Sequence, residues 1–107
     1  MRELHHPAAD EIDLSAVLFA LADPVRRGLV AGLADGAEAG TGDCAGDLPP
    51  STASHHFKTL REAGVTRTRV AGTRRLVSLR RDDLETRFPG LLDTILRADR
   101  EPPVRRG

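Results

Sequence analysis

Residues 51–75 read Ser-Thr-Ala-Ser-His-His-Phe-Lys-Thr-Leu-Arg-Glu-Ala-Gly-Val-Thr-Arg-Thr-Arg-Val-Ala-Gly-Thr-Arg-Arg, and the hydrophobic period changes inside this stretch. Ala53, Phe57 and Leu60 recur at helical spacing, so a helix is expected over 51–63 with those three side chains inward. Pro49-Pro50 stops anything before it, Pro50 or Ser51 caps it, and Gly64 ends it. Ser51, His55, Lys58 and Glu62 point the opposite way, flanked by Thr52 and Thr59, while His56 lies beside the inner face. From Val65 the period becomes two: β-branched residues alternate with arginine up to Val70. Ala71-Gly72-Thr73 reads as a turn, and Arg74 to Leu79 returns as a second strand with Val77 and Leu79 on one face. Five arginines (67, 69, 74, 75 and 80) lie on or near this hairpin.

Upstream, residues 36–50 hold four glycines and two prolines, which leaves room for one short helical turn near Asp43 to Leu48. Before it, Asp23-Pro24 starts a helix with Val25, Leu29, Val30 and Leu33 inward, Arg26 and Arg27 outward, and Asp35-Gly36 as its end. An earlier helix runs from about Asp13 to Ala22 on the stripe Leu14, Val17, Leu18 and Leu21. Downstream, Asp82-Asp83-Leu84-Glu85 is a capping-box pattern for a short turn, and Phe88-Pro89-Gly90 breaks it. Leu91, Leu92, Ile95 and Leu96 stripe a last helix. The predicted fold is mainly α with a β-hairpin wing, in the order α-α-(short α)-α-β-β-α, a winged helix-turn-helix pattern. Residues 1–11 are expected to be a flexible N-terminal arm, 12–98 the winged helix-turn-helix domain, and 99–107 a disordered tail containing Pro102-Pro103 and Arg105-Arg106.

The chain has 107 residues, enough for one domain with a modest core. Its longest apolar run, Ala16 to Ala22, is far short of the roughly twenty residues that cross a bilayer. The first six residues carry no apolar segment of the secretory kind, so a cytoplasmic address and no membrane partner are expected. One cysteine, Cys44, excludes an internal disulfide and a cysteine-only zinc site. A formal net charge of zero conceals segregation. Residues 1–49 hold nine acids and three bases, whereas residues 58–81 hold eight bases and one acid. A basic block of that kind is either a solvated surface or a face for a polyanion, and its concentration beside the hairpin favours nucleic acid. The chain has three phenylalanines and no tyrosine or tryptophan, and so lacks the aromatic platforms on which single strands stack. Double-stranded DNA is the expected partner. A B-DNA major groove is about 12 Å wide and admits one α-helix. The hydroxyls, histidine and lysine of the outer face suit its base edges and phosphates. Arg69, Arg74 and Arg75 suit the flanking backbone or minor groove.

Ile12, Leu14, Val17 and Leu18 near one end, and Leu92, Ile95 and Leu96 near the other, exceed what one small core needs. Either these helices pack on the domain alone, or a homodimer buries the surplus and pairs with a palindromic operator. The dimer is the expectation, strengthened by the family resemblance.

Three segments, in order, resemble the ArsR/SmtB family of bacterial repressors: Leu21-Ala22-Asp23-Pro24-Val25-Arg26-Arg27, the run from Ser51 to Val65, and Arg69-Val70-Ala71-Gly72-Thr73-Arg74-Arg75. The resemblance spans most of residues 14–98. It implies a dimeric transcriptional repressor released by a metal ion or another inducer. It implies groove contacts from Thr52, Ser54, His55 and Lys58 and wing contacts from Arg69, Arg74 and Arg75. The full set expected at DNA is Ser51, Thr52, Ser54, His55, Lys58, Thr59, Arg67, Arg69, Thr73, Arg74 and Arg75.

The chain departs from the family's metal motifs: Cys44-Ala45-Gly46-Asp47 lacks a second cysteine, and the last helix offers Asp93 and Asp99 but no histidine. The candidate ligands are Cys44 and Asp47, one helical turn apart, with His5 and His6 brought across a dimer, an N/S/O set suited to Ni(II) or Zn(II). The alternatives are a nonmetal signal, a redox thiol at Cys44, or a sensing partner protein. No nucleophile–base pair or phosphate loop appears, so an enzyme is not expected. A protein-interaction module that had lost DNA binding would not need so basic a wing.

Overall fold

Two aspartates start the first two helices, because each carboxylate accepts from backbone amides that a helix leaves unpaired. Asp13 accepts from the Ala16 amide at 3.1 Å and opens α1 (Leu14–Leu21). Asp23 accepts from Val25 and Arg26 at 2.7 and 3.2 Å and opens α2 (Pro24–Gly32), with Pro24 in the first turn. The computed structural model describes residues 4–101. Its further elements are β1 (Ala39–Gly40), α3 (Thr41–Ala45), α4 (Pro50–Glu62), β2 (Thr66–Ala71), β3 (Arg74–Leu79), α5 (Arg81–Arg87) and α6 (Leu91–Arg100).

The expected hairpin is present, with Thr68 opposite Val77 and Arg69 opposite Leu76. The sheet gains a strand that the sequence pattern hid. β1 pairs antiparallel with β3, giving the order β1-β3-β2 and placing Ala39 opposite Val77 and Gly40 opposite Leu76. Two residues are too few to show a period. Several boundaries also move. α2 stops at Gly32 rather than near Asp35, and the short helix lies at Thr41–Ala45. Pro49 is the N-cap of α4, with no side-chain cap bond, so neither Pro50 nor Ser51 has that role. Asp82 and Asp83 sit inside the first turn of α5, whose N-cap is Arg80.

The core joins Val17, Leu21, Leu29, Val30, Leu60, Val65, Val77, Leu84, Leu92 and Leu96, drawn from all six helices' neighbourhood except α3 and from the sheet. Gly64 ends α4 at φ +84°, and a Cβ there would lie 2.7 Å from Ile12 Cγ1. The glycine therefore supplies a left-handed turn and the room for Ile12 to enter the core.

The segment expected to be a loose arm is packed where it is described. Ala9–Glu11 form a turn of 3-10 helix, and Ile12 is fully buried. The Thr68 amide donates to His6 Nε2 at 3.0 Å, and Arg80 Nη1 donates to the Pro7 carbonyl at 2.8 Å. Residues 1–3 and 102–107, including Pro102-Pro103 and Arg105-Arg106 of the expected tail, lie outside the described residues.

Two arginines depart from their expected places. Arg26, expected to face outward, is buried. Its Nε donates to the Ala20 carbonyl at 2.6 Å, Nη2 donates to the Phe19 carbonyl at 3.2 Å, and Nη1 lies 3.3 Å from His56 Nδ1. A long side chain at a polar position has reached back to satisfy carbonyls at the end of α1. Arg80 is buried as well, held by Pro7 and by Asp83, so it is a structural member of the basic block.

Candidate nucleic-acid interface

Helix α4 buries Ala53, His56, Phe57 and Leu60, so its opposite face is turned to solvent. Ser51, Thr52, Ser54, His55 and Lys58 are all exposed there. Thr59 is half-buried, and its hydroxyl donates to the His55 carbonyl at 3.0 Å, which engages its donor within the helix. The two adjacent histidines separate as helical geometry requires. His55 faces out and His56 faces Arg26, their ring centroids 5.9 Å apart.

The hairpin continues this exposed surface. Arg67, Arg69, Thr73, Arg74 and Arg75 are all exposed. Three of them already have acidic partners. Arg69 grips Glu38 with two hydrogen bonds, Nε to Oε2 at 2.8 Å and Nη2 to Oε1 at 2.7 Å. That grip holds the Glu38 carboxyl below the usual carboxylate range and raises the Arg69 guanidinium above its usual value. Arg74 lies 3.4 Å from Asp43, and Arg67 lies 3.8 Å from Asp83. Arg75 and Lys58 have no ion pair among the described residues. Glu38 and Asp43 had no motif to mark them. The signal available was only that acids precede a basic block.

The residues expected to pair two chains divide. Ile12, Val17, Leu92 and Leu96 are buried in the chain's own core, which corrects their assignment to an interface. Leu14 and Leu18 remain 45% exposed and Ile95 is half-buried. Phe19, 68% exposed, lies on another side of α1, with the Arg26 guanidinium 5.5 Å from its ring centre, and was not anticipated.

The metal candidates do not converge. Among the described residues, no three His, Cys, Asp or Glu side chains gather in one chain as metal ligands would. His6 has its Nε2 occupied by the Thr68 amide, and burial holds its pKa below the ordinary value. Burial and the neighbouring Asp43 push the Cys44 thiol up, away from the thiolate that a metal or a redox reaction needs. No three of Cys44, Asp47, His5 and His6 therefore gather within one chain among the described residues. No helix among the described residues is long and apolar enough to cross a membrane.

No protein-family model matches the chain. The HTH-type transcriptional regulator YceK of Bacillus subtilis is 51% identical over 49 residues, which are 46% of this chain and 49% of that protein. The chain thus matches about half the length of that curated relative. The transcriptional repressor BigR from Xylella fastidiosa superposes with TM-score 0.57 at 26% identity, over 70% of this chain and 85% of that one. An ArsR family transcriptional regulator, RHA00566, superposes with TM-score 0.65 over 82% of this chain and 98% of that one, at 22% identity, which speaks to the fold alone. The expected resemblance to ArsR-type regulators and the expected winged helix-turn-helix fold are both borne out. These relatives are described as regulators, not as enzymes.

Proposed function

We propose that this chain, similar in sequence and fold to ArsR-type regulators, is a transcriptional repressor that binds double-stranded operator DNA as a homodimer. The observation that carries the reading is the division of α4. Its apolar residues are all spent on the core, and Ser51, Thr52, Ser54, His55 and Lys58 stand together on an exposed face. Such a helix enters a major groove with hydrogen-bonding groups toward base edges, while Arg69, Arg74 and Arg75 of the adjoining wing reach backbone or minor groove.

The dimer reading rests on α1. Its eight residues, Leu-Ser-Ala-Val-Leu-Phe-Ala-Leu, carry no charge. A helix apolar on every side is normally covered on every side, yet Leu14, Leu18 and Phe19 are exposed. A second copy related by a two-fold axis covers Leu14 and Leu18 and sets two recognition helices on successive half-sites. The inducing signal is read either by metal ligands supplied from both chains, by a nonmetal ligand, or by a partner protein, since among the described residues no three His, Cys, Asp or Glu side chains gather in one chain.

Fluorescence anisotropy on the duplex upstream of the protein's own gene, over several salt concentrations, tests the reading. Expected is binding that weakens steeply with salt and exceeds binding to scrambled duplex. Absence of salt-dependent binding to any duplex overturns it and leaves an interaction module. Repeating the titration with EDTA, Ni(II) or Zn(II) shows whether a metal couples to DNA, a tenfold shift being about 1.4 kcal/mol.

A further inference from the structure

The outer face of the sheet holds both charges of a contest. Strand β1 lies on one edge of β3 and β2 on the other, so Gly40, Leu76 and Arg69 stand in one row across the sheet. Arg69 extends over β3 to the carboxylate just before β1, and meets Glu38 through two nitrogens at 2.7 and 2.8 Å. Next to it, the Arg74 guanidinium crosses over Gly40 toward Asp43. A Cβ at residue 40 would lie 2.7 Å from Arg74 Nη2, so the glycine keeps the path clear. Each arginine is more than half exposed, so each is within reach of a DNA phosphate.

We propose that Glu38 is a specificity-setting residue: it holds Arg69 as a conditional DNA contact by competing with phosphate for the same guanidinium. The proposal rests on the DNA-binding reading above. Non-specific affinity comes from cations that exchange small counterions for phosphates. An arginine already gripped by a two-pronged carboxylate exchanges one anion for another and gains little. Only a duplex whose recognition helix is correctly seated, or whose minor groove is narrow and strongly negative, presents enough potential to draw Arg69 away. Glu38 therefore suppresses binding to arbitrary DNA more than binding to the operator.

The experiment compares full-length wild type, Glu38→Gln, Arg69→Gln and the double variant on upstream and scrambled duplexes across a salt series. Glu38→Gln keeps the side chain's size and removes its charge. Expected is about threefold tighter scrambled-duplex binding, a salt slope steeper by about one, and a smaller upstream-to-scrambled ratio. The gain should vanish on the Arg69→Gln background. Glu101→Gln, which removes a distant acid, should leave the ratio alone. If wild type binds the upstream duplex but Glu38→Gln binds scrambled duplex no better, the competition is refuted while the DNA reading stands. A gain that survives in the double variant, or that Glu101→Gln reproduces, also refutes it. If no protein binds any duplex, both readings fall.

Discussion

Arg26 and His56 meet in the interior, Nη1 to Nδ1 at 3.3 Å, and tie α2 to α4. Arginine can only donate, so in this contact His56 Nδ1 is the acceptor. The same guanidinium also donates to the Ala20 and Phe19 carbonyls at the end of α1, at 2.6 and 3.2 Å. One side chain thus registers three helices.

Arg26→Ala should destabilise the domain by about 2–4 kcal/mol, because it strands two carbonyls and an imidazole that water then reaches poorly. Arg26→Lys should fall between, since an ammonium cannot span three partners in the guanidinium's geometry. Urea unfolding followed by circular dichroism measures both. An unchanged midpoint for the alanine variant contradicts the registering role.

His6 gives a pH dependence with a definite sign. Burial lowers its pKa from 6.5, with the charges of Arg61, Arg67 and Arg80 acting the same way and a hydrogen bond involving the Leu4 backbone acting against them. Its Nε2 must be unprotonated to accept from Thr68. The unfolded chain therefore binds this proton more readily than the folded one. Stability from this contact is full above about pH 6.5 and declines as pH falls through the lowered folded value. Urea midpoints between about pH 7.5 and 5 should fall more for wild type than for His6→Gln, whose amide oxygen still accepts. Equal falls would show that the contact does not contribute.

On the face proposed to meet DNA, two substitutions should behave differently. Arg75→Ala should weaken upstream and scrambled duplexes alike and reduce the salt slope by about one. His55→Ala should cost about 1–3 kcal/mol on the upstream duplex and little on scrambled DNA. Anisotropy titrations at several salt concentrations separate the two patterns.

Leu18→Glu places a charge on the exposed side of α1 without entering the core, given that Leu18 is 45% exposed. The helix should remain folded by circular dichroism while sedimentation velocity shows a monomer in place of a dimer. A dimer that survives this charge, and Leu14→Glu as well, places the contact elsewhere.

Gly64→Ala should cost more than the roughly 1 kcal/mol of a strained left-handed turn, because its Cβ would also press on Ile12 at 2.7 Å. Thermal unfolding checks this, with Gly72→Ala as comparison, since no atom lies within 4 Å of a Cβ there.

Much of the architecture was legible locally. Asp13 and Asp23 start their helices where the sequence places them, because a capping carboxylate acts on amides two or three residues away. The change of period at Gly64 marks the passage from α4 to the wing, and the exposed face of α4 follows from its own spacing. These features depend on residues near each other in the chain.

Tertiary structure decided the remainder. Periodicity places Arg26 outward, but its guanidinium finds carbonyls of α1 and an imidazole thirty residues away. Local pattern cannot divide seven apolar candidates between a core and an interface; packing buries Ile12, Val17, Leu92 and Leu96 and leaves Leu14 and Leu18 exposed. Nor does sequence show that Glu38 faces Arg69 across β3, because β1, which brings Glu38 there, is paired through only two residues. Sequence determined the main helices, the wing and the outward chemistry of α4, because those arise from short-range sterics and spacing. Which charges stand free and which apolar groups stay uncovered are decided by distant segments competing for the same partners, and only the folded chain settles that competition.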